Sequence, residues 1–479
     1  MLAFSPDLVE PSDQLRRAAA ERAQAMSLPT AEQEVWRYSR IGELQLDRFH
    51  PVGPTTSVQG ANGHLADHHD LDTSVVHDVF DELSAAFYNQ TVLSIPRGMH
   101  VAAPIVVTHT VHGNDEASFP RLVIDAGENS EVTVVERFVS DGDGAALVVP
   151  RLFVRSQQAA RVTYVAINEL STSVWQLGHQ LAIGDRDSTT LLATVALGGE
   201  YARVRTDAKV VGQGASTRQV ALYYADETQM HDFRTLQDHV APRTTSDLLF
   251  KGAVQDTARS VYTGLIRIGH EAKGSVAYQT NRNLTLSAGA WAESVPNLEI
   301  ETNDVKCSHA STIGPIDEDQ RFYLESRGIP PETAERLVVL GFFDEVLAQL
   351  RGTVLALGAG KVVLVDDPAL KGTDSLGIAR ALAALPFGDL ILDGEVAVLD
   401  PSGRPSFARL QKRGLLTGKL ECERAAVLHP ATLFAFDLLS FEGHDLRGLP
   451  LVRRKQALAE LLPPRGPLRL LEDTPERGE

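Results

Sequence analysis

A cysteine and a histidine two residues apart give the strongest chemical signal in the sequence. Cys307 and His309 lie in the run DVKCSH at residues 304–309. Side chains alternate between the two faces of a β-strand, so in a strand both would point to one side. A thiolate beside an imidazole suits a soft metal such as iron or zinc. The same pair would also suit a cysteine nucleophile with a histidine base.

Spacing alone favours a simpler interpretation of this pair. A small buried cysteine beside a hydrogen-bonded core histidine needs no ligand, and two ligands do not complete a metal site. A metal shared with a second subunit would supply the missing ligands. A structural pair, a nucleophile pair and half of a shared metal site therefore all stay open at this point.

Two other patterns have weaker chemical content. Four histidines, His64, His68, His69 and His77, fall in residues 51–78, which we interpret as an irregular linker. A metal site is possible there, but a solvated loop is favoured because no cysteine or carboxylate spacing supports ligation. Residues 358–362, GAGKV, resemble a phosphate-binding loop but lack its first glycine and the Ser/Thr after Lys361. We expect no ATP site in this chain, so ATP hydrolysis would belong to a partner.

Composition limits the classes of protein to consider. The chain has 479 residues, a net charge of −18 and two cysteines, Cys307 and Cys422. Two cysteines exclude a disulfide framework and favour a reducing cytoplasm. No secretory signal and no apolar run long enough for a membrane span are visible. The negative charge makes nucleic acid an unexpected partner.

The charge also divides the chain. Residues 351–479 hold 17 basic and 17 acidic side chains, against 28 and 46 in residues 1–350. The whole acidic excess therefore lies before residue 351. Together with the length, this shift indicates at least two domains and a boundary near residue 350.

The elements that would position Cys307 and His309 are mainly β-strands. Residues 11–26 have a short helical pattern, and Thr30 with Gln33 forms a capping box that predicts a second helix start. Between residues 91 and 315, short β-rich runs recur every ten to fifteen residues with turn residues between them. A sandwich and a solenoid both fit, and the length without long helices favours the solenoid.

The pattern changes to helix after residue 315. Asp317 is a plausible N-cap for a helix over residues 317–327. Gly328 and the prolines that follow break that helix, and Pro331 suits the start of a second one over residues 332–350. We divide the chain into a helical and irregular region (1–90), a β core (91–315), C-terminal helices (316–350) and a tail (351–479).

Ordered motifs between residues 5 and 350 resemble the SufB/SufD family of iron–sulfur cluster assembly proteins, and within it the SufD type. The resemblance includes the family's N-terminal tryptophan motif, the segment around Tyr201 and the position of His239. The matching runs are EVWRY (34–38), LGGEYAR (197–203), LLFKG (248–252), DTARSVYTG (256–264), YQTNRNL (278–284), PNLEI (296–300), DVKCSH (304–309) and FYLESRGI (322–329).

The resemblance implies a fold and a role. The fold would be a right-handed parallel β-helix with N-terminal and C-terminal helical segments. The role would be that of a non-enzymatic scaffold that pairs with a SufB-like subunit and binds a SufC-like ATPase through its C-terminal helices. The residues implied in ATPase docking are Phe322, Tyr323, Ser326, Arg327 and Gly328.

The resemblance also gives His309 a role. In the family a nascent iron–sulfur cluster forms at the subunit interface, between a partner cysteine and a histidine that corresponds to His309. Cys307 would be a neighbour in that interface. The cluster would be transient and shared with the partner. Since family members continue beyond the point that matches Leu350, the docking helices are expected to be truncated here.

The tail resembles a different family, the ATP-dependent DNA ligases of the bacterial end-joining type. The matching runs are ILDGEVAVLD (391–400), GRPSFARLQ (403–411) and FAFDLL (434–439). The resemblance implies an α+β fragment of an adenylation domain, with Glu395 near the ribose or metal and Phe436 stacked on adenine. Ligation needs a lysine nucleophile in a Lys-x-Asp-Gly motif, and the chain has none. A ligase-related function is therefore the alternative hypothesis, and we predict the tail to be inactive.

Overall fold

The chain forms two compact units, Met1–Val346 and Leu347–Glu479, and each is described by itself. The computed structural model describes residues 4–69, 71, 76–326, 331–350, 355–358, 361–363, 390–399, 431–441, 444–446, 449–462 and 468–470. Within these residues, no helix is both long enough and apolar enough to cross a membrane.

The first unit is a parallel β-helix flanked by helices, which confirms the predicted fold class. Its α-helices are α1 (Gln14–Ala25), α2 (Val79–Phe87), α3 (Glu318–Glu325) and α4 (Pro331–Gln349). Its strands are β1 (His50–Pro51), β2 (Thr55–Gln59), β3 (Leu65–Ala66), β4 (Asn89–Ile95), β5 (Ile105–His112), β6 (Glu116–Ser118), β7 (Pro120–Ala126), β8 (Glu131–Asp141), β9 (Ala146–Val148), β10 (Arg151–Ser156), β11 (Arg161–Glu169), β12 (Val174–Gly184), β13 (Thr189–Ala196), β14 (Tyr201–Val210), β15 (Ser216–Ala225), β16 (Met230–His239), β17 (Thr245–Val254), β18 (Arg259–Ile268), β19 (Ser275–Thr285), β20 (Trp291–Ile300) and β21 (Val305–Pro315).

Successive strands alternate between two sheets. One sheet has the order β20-β18-β16-β14-β12-β10-β7-β4-β3, and the other has the order β2-β5-β8-β11-β13-β15-β17-β19-β21. From β4 to β21 the neighbours along both paths are parallel, and each residue pairs with one 26 to 32 positions further on. One coil of the solenoid therefore uses about 30 residues and contributes one strand to each sheet.

Tight turns at equivalent positions of successive coils set this repeat. Asn129, Ala159 and Asp187 each have a φ of 56°, in the left-handed region that a sharp turn requires. Each is followed by a small buried residue, Ser130, Ala160 or Ser188. The small side chain lets the next coil stack directly on the turn, so the register of the coils is kept.

Apolar and aromatic side chains fill the solenoid. Valines and isoleucines of β4 to β11 form one buried cluster, because alternate residues of each strand point inward. In the later coils an aromatic cluster takes over, which includes Tyr223, Phe233, Phe250 and Tyr262. A Cβ atom added at Gly252 would lie 1.8 Å from the Tyr223 ring. The space that this ring occupies therefore requires a glycine at position 252.

The N-terminal segment covers one outer face of the β-helix. Trp36, Phe80 and Leu177 belong to one buried cluster there. α1 lies within the predicted helical pattern of residues 11–26. The helix predicted from Thr30 and Gln33 is wrong, since only a short 3-10 turn, Glu34–Trp36, follows. The predicted irregular linker over residues 51–78 is partly wrong as well, because it contains the short strands β2 and β3.

The C-terminal helices of this unit begin as expected. The Asp317 carboxylate accepts hydrogen bonds from the backbone N–H groups of Asp319 (3.0 Å) and Gln320 (3.2 Å), which confirms it as the N-cap of α3. α4 begins at Pro331, as the sequence predicts.

The second unit contains a small sheet with one packed helix. Its elements are β22 (Leu355–Gly358), β23 (Lys361–Val363), β24 (Leu390–Val398), β25 (Ala431–Phe441), β26 (His444–Asp445), α5 (Leu451–Leu461) and β27 (Leu468–Leu470). β24, β25, β26 and β27 form a four-stranded sheet. Arg454 of α5 donates two hydrogen bonds to the Asp437 carboxylate of β25, at 2.8 and 2.7 Å, and so ties the helix to the sheet.

Candidate functional site

Cys307 and His309 lie on β21, the last strand of its sheet. β21 pairs with β19, and the register places Cys307 beside Ala277 and His309 beside Gln279. Ala277 and Gln279 are 0% and 2% exposed, so they face the interior of the β-helix. Residues side by side in register share a face. Cys307 and His309 therefore face the direction of the core, at the point where the stack of coils ends.

Exposure shows that this end is open in the isolated chain. His309 is exposed, and Cys307 is half-buried against the cluster of Ile266, Ile268 and Ala277. Burial raises the pKa of the Cys307 thiol. The thiol is therefore protonated at neutral pH and needs a metal or a nearby cation to form a thiolate.

The other sheet ends in the same way at β20. Leu298 and Ile300 pair with the fully buried Ile266 and Ile268, yet they are 38% and 43% exposed. Ile313 of β21 is also 43% exposed. Among the described strands, these inward-facing apolar residues have a neighbouring coil on one side only. We call the surface formed by the inward-facing residues of β20 and β21 the open end.

A buried polar group also lies beside the open end. Neither amide atom of the Gln279 side chain has a hydrogen-bond partner among the described residues. Buried amides normally have partners, and leaving one without them costs about 1–3 kcal/mol. Gln279 lies next to His309 in the strand register. Gln279 itself lies on β19, one strand inside the open end, and is 2% exposed.

The helices α3 and α4 hold the residues expected to dock an ATPase. Phe322 and Tyr323 of α3 are 70% and 55% exposed, which is unusual for large aromatic side chains. The Ser326 hydroxyl donates to the Tyr323 carbonyl at 2.8 Å and caps the end of the helix. Arg327 and Gly328 lie outside the described residues.

Two contacts hold α4 against the β-helix. The Lys251 ammonium donates to the Phe342 carbonyl at 2.8 Å and lies 2.7 Å from the Glu345 carboxylate. The Lys251 side chain is 6% exposed, whereas that of Glu345 is 53% exposed, so only the lysine end of this pair is shielded from water. Arg282 adds a longer contact to Glu345 at 3.7 Å.

The two residues that the ligase resemblance singles out lie on neighbouring strands. Glu395 is in β24 and Phe436 is in β25, and Glu395 pairs with Phe434 in the antiparallel register. Their backbones are thus brought together, and their side chains are outside the described part of the structure. Cys422 and most of residues 359–389 also lie outside it.

Sequence reasoning missed a second cluster of side chains with potential metal-ligand atoms. His77, His179 and Asp207 bring their ligand atoms within 4.8 Å of one another on the flank of the β-helix. His179 and Asp207 lie on the adjacent strands β12 and β14. Knowing the coil register would have placed these two together, but nothing in the pattern brings His77 to them.

Comparisons with known proteins agree with the geometry. Residues 109–342 match the model of the SUF system FeS cluster assembly, SufBD core domain. An iron–sulfur cluster assembly SufBD family protein of Mycobacterium leprae is 32% identical over 349 residues, covering 68% of this chain and 87% of that protein. A family member from Mycobacterium tuberculosis is 36% identical over 275 residues, covering 56% of this chain and 68% of that protein.

The chain is also similar to a SufD protein and, in its tail, to a ligase domain. The iron–sulfur cluster assembly protein SufD of Escherichia coli is 29% identical over 290 residues, covering 60% of this chain and 69% of that protein. Residues 375–475 match the ATP dependent DNA ligase domain. This chain therefore belongs to the SufBD family of iron–sulfur cluster assembly proteins and carries a ligase-like segment after its β-helix.

Proposed function

We propose that this chain is the SufD-type scaffold subunit of an iron–sulfur cluster assembly complex in the cytoplasm. A SufB-like subunit covers the open end, and a nascent cluster is held there between a partner cysteine and His309. The observation that supports this most is the open end itself, where inward-facing residues have no coil above them. The proposal keeps the division into residues 1–90, 91–315, 316–350 and 351–479.

The chemistry of the open end suits a shared cluster. The His309 imidazole is exposed and offers a nitrogen ligand to iron. Cys307 is the weaker candidate, because burial raises the pKa of its thiol and favours the protonated form. Contact with iron would deprotonate it. His309 is thus the main ligand of this subunit, and Cys307 is a neighbour that can join it.

The exposed apolar residues of the open end, which we call the apolar rim, provide the driving force for pairing with the SufB-like subunit. Burying exposed apolar area yields roughly 25 cal/mol per Å². Leu298, Ile300 and Ile313 together present such area on both sheets of the open end. A second solenoid whose own terminal strands face this surface would bury it, and would also exclude water from the cluster.

The ATPase that drives the cycle is a separate, SufC-like subunit in this proposal. It binds α3 and α4, with Phe322 and Tyr323 as apolar anchors and Ser326, Arg327 and Gly328 beside them. Exposed aromatic side chains of this kind are frequent anchors of protein interfaces. The scaffold itself catalyses no reaction.

The pairing is tested by co-purifying tagged chain with SufB-like and SufC-like subunits. Leu298→Arg places a charge in the apolar rim, and we expect it to reduce SufB-like recovery at least about tenfold, as a loss of 1.4 kcal/mol or more would. Leu15→Arg is the matched control, since Leu15 is 85% exposed on α1. Undiminished recovery with Leu298→Arg would remove the open end from the interface.

The role of His309 is tested on the purified complex. We expect His309→Ala to leave the complex intact and to lower the iron and sulfide that it accumulates during reconstitution. His100→Ala is the control, because His100 is also exposed and lies in an early coil. If His309→Ala and the control build the same amount of cluster, His309 has no part in it.

The ligase match supports one alternative, a nucleotidyltransferase-related function of the tail. We expect no covalent adenylate on this chain after incubation with labelled ATP and Mg²⁺, because the sequence has no Lys-x-Asp-Gly nucleophile. A labelled chain that survives denaturation would establish the alternative instead.

A further inference from the structure

Two histidines and a carboxylate converge beneath the N-terminal segment. His77 lies just before α2, His179 lies on β12, and Asp207 lies on β14. The Asp207 Oδ2 atom is 3.3 Å from His179 Nε2 and 4.0 Å from His77 Nε2. The two imidazole rings are neighbours, with centroids 5.4 Å apart. Three potential ligand atoms thus face one small volume.

A second carboxylate orients the central histidine. His179 Nδ1 faces Asp81 Oδ1 at 3.7 Å, on the side of the ring away from Asp207. Asp81 is itself fixed, since it accepts hydrogen bonds from Arg151 Nε (2.9 Å) and from the backbone N–H of His77 (2.8 Å). A histidine that binds metal through one nitrogen commonly has a carboxylate at the other. This arrangement directs Nε2 of His179 toward the shared volume.

The cluster is reachable from solvent through one ligand. The side chains of His179 and Asp207 are 6% and 5% exposed, whereas that of His77 is 36% exposed. A pocket open to solvent is lined by His77 and His179, with Trp36 and Phe80 among its walls. An ion entering past His77 would lie among charged and apolar side chains, with the buried His179 and Asp207 on its inner side.

The local charges accommodate a cation. Three carboxylates lie here, those of Asp78, Asp81 and Asp207, against the two guanidinium groups of Arg151 and Arg205. Arg203 also lines the pocket, but it forms a buried ion pair with Asp232. Arg205 already neutralises Asp207 at 2.9 Å. This contact is to Oδ2, the oxygen that both imidazoles face, and Arg205 Nε also donates to Oδ1 at 3.0 Å, so an ion at Oδ2 would leave the guanidinium a partner on the same carboxylate.

We infer that His77, His179 and Asp207 form a binding site for a divalent transition metal ion, Zn²⁺ or Fe²⁺, on the flank of the β-helix. Two imidazoles and one carboxylate are a known ligand set for both ions. Metal–nitrogen bonds of about 2.0–2.1 Å place tetrahedral ligands roughly 3.3 Å apart. The His179–Asp207 edge has this length already. The two edges to His77 are longer, 4.0 Å to Asp207 and within 4.8 Å to His179, so binding requires the partly exposed His77 ring to move inward.

The test uses full-length chain in a Cys307→Ser, His309→Ala and Cys422→Ser background, so that metal bound at the open end or by thiols does not contribute. Co²⁺ absorption and calorimetric titration with Zn²⁺, and with Fe²⁺ without oxygen, measure binding. We expect one equivalent per chain and a cobalt spectrum without thiolate charge transfer. The relative affinities for Zn²⁺ and Fe²⁺ decide which ion the site prefers.

Variants then locate the site. His77→Ala should weaken binding at least about 100-fold, more than is usual for loss of an orienting residue. His77→Gln is the second variant, and circular dichroism checks that both fold. His112→Ala is the matched control, because His112 forms a His–carboxylate pair with Asp141 at 3.3 Å on the surface. Absence of Zn²⁺, Fe²⁺ and Co²⁺ binding in the background chain, or unchanged binding in folded His77→Ala, would show that the cluster is only an ion-pair network.

Discussion

At the scale of single residues, two buried histidines stand out in the later coils. His231 and His239 are each 0% exposed. His231 Nε2–H donates to the Gly198 carbonyl at 3.2 Å. Both ring nitrogens of His239 lie 2.7 Å from hydroxyls, those of Thr244 and Ser246. Burial lowers the pKa of both histidines to about 4 and keeps them neutral at physiological pH.

These histidines should make the β-helix sensitive to acid. In the unfolded chain a histidine binds its proton near pH 6.5, whereas folded His231 does so only near pH 4. The unfolded state therefore holds more protons between these values, so stability falls as pH falls from about 6.5 to 4. We expect each histidine to contribute a loss of about 3 kcal/mol over this window. Above pH 6.5 the contribution is constant.

Urea unfolding of His231→Phe at pH 7 and pH 4.5 measures the effect. The phenyl ring keeps the shape of the side chain among its aromatic neighbours, Tyr223 and Phe233. We expect this variant to lose less stability on acidification than the wild-type chain. His100→Phe, at an exposed position, should keep the wild-type loss. Equal losses in all three chains would contradict the assignment.

At the scale of secondary-structure elements, α4 depends on one buried cation. Lys251 lies on β17 and reaches both Phe342 and Glu345 of the helix. Its ammonium also lies 4.8 Å from the centre of the Phe342 ring. Val339 and Phe343 of the same helix are also buried. The position of α4 thus depends on a residue of β17, two strands from the last strand of its sheet.

Replacing Lys251 should loosen α4 without unfolding the coils. Lys251→Met keeps most of the side-chain volume and removes the charge. A hydrogen bond from a charged group is worth about 1.5–3 kcal/mol, so we expect hydrogen exchange in α4 to accelerate roughly tenfold or more. Exchange in β11 to β15 should not change. Lys273→Met, at an exposed turn, is the control, and equal exchange in both variants would mean that Lys251 does not hold the helix.

The starts of α3 and α4 can be predicted from the local sequence, but the structure after Thr30 cannot. The caps of α3 and α4 were predictable, because Asp317 and Pro331 act within their own first turns. The helix predicted after Thr30 fails because tertiary contacts take its carbonyls. Arg203 donates to the Val35 carbonyl at 2.5 Å and Arg234 to the Arg37 carbonyl at 2.6 Å. These arginines lie about 170 to 200 residues away, where no local pattern indicates them.

At the scale of the whole molecule, the repeat could be predicted and its register could not. Alternation of apolar and polar residues indicates strands, and their number favours a solenoid. Which residues lie side by side depends on turn lengths that vary between coils, with steps of 26 residues after Gln176 and 32 after Arg259. The strand position of Cys307 and His309 was therefore predictable, but the open end and the flank cluster were not.

The β-helix should not need the ligase-like tail for its stability. Its core clusters are built from its own coils and from the N-terminal segment. The tail has a separate cluster that includes Val398, Leu438 and Leu458. We expect a chain of residues 1–350 to have a thermal midpoint within about 2 °C of the β-helix transition in the full chain, because these described core clusters consist of residues of the first unit.

Calorimetry compares the two chains directly. The full chain should show the transition of the short chain, with any tail transition separate from it. A midpoint lowered by more than about 5 °C in the short chain would mean that the tail contributes about 3–4 kcal/mol or more. The two units would then not be energetically independent.

The stacking of coils also fixes distances along the β-helix. β12, which carries His179, and β20, at the open end, are separated by β14, β16 and β18 in their sheet. Four steps of about 4.8 Å place them roughly 19 Å apart along the stack. Removing or duplicating one full coil would change this distance by a single step and leave both ends of the stack chemically the same. The distance between the His77–His179–Asp207 cluster and the open end is thus set by the whole number of coils between them.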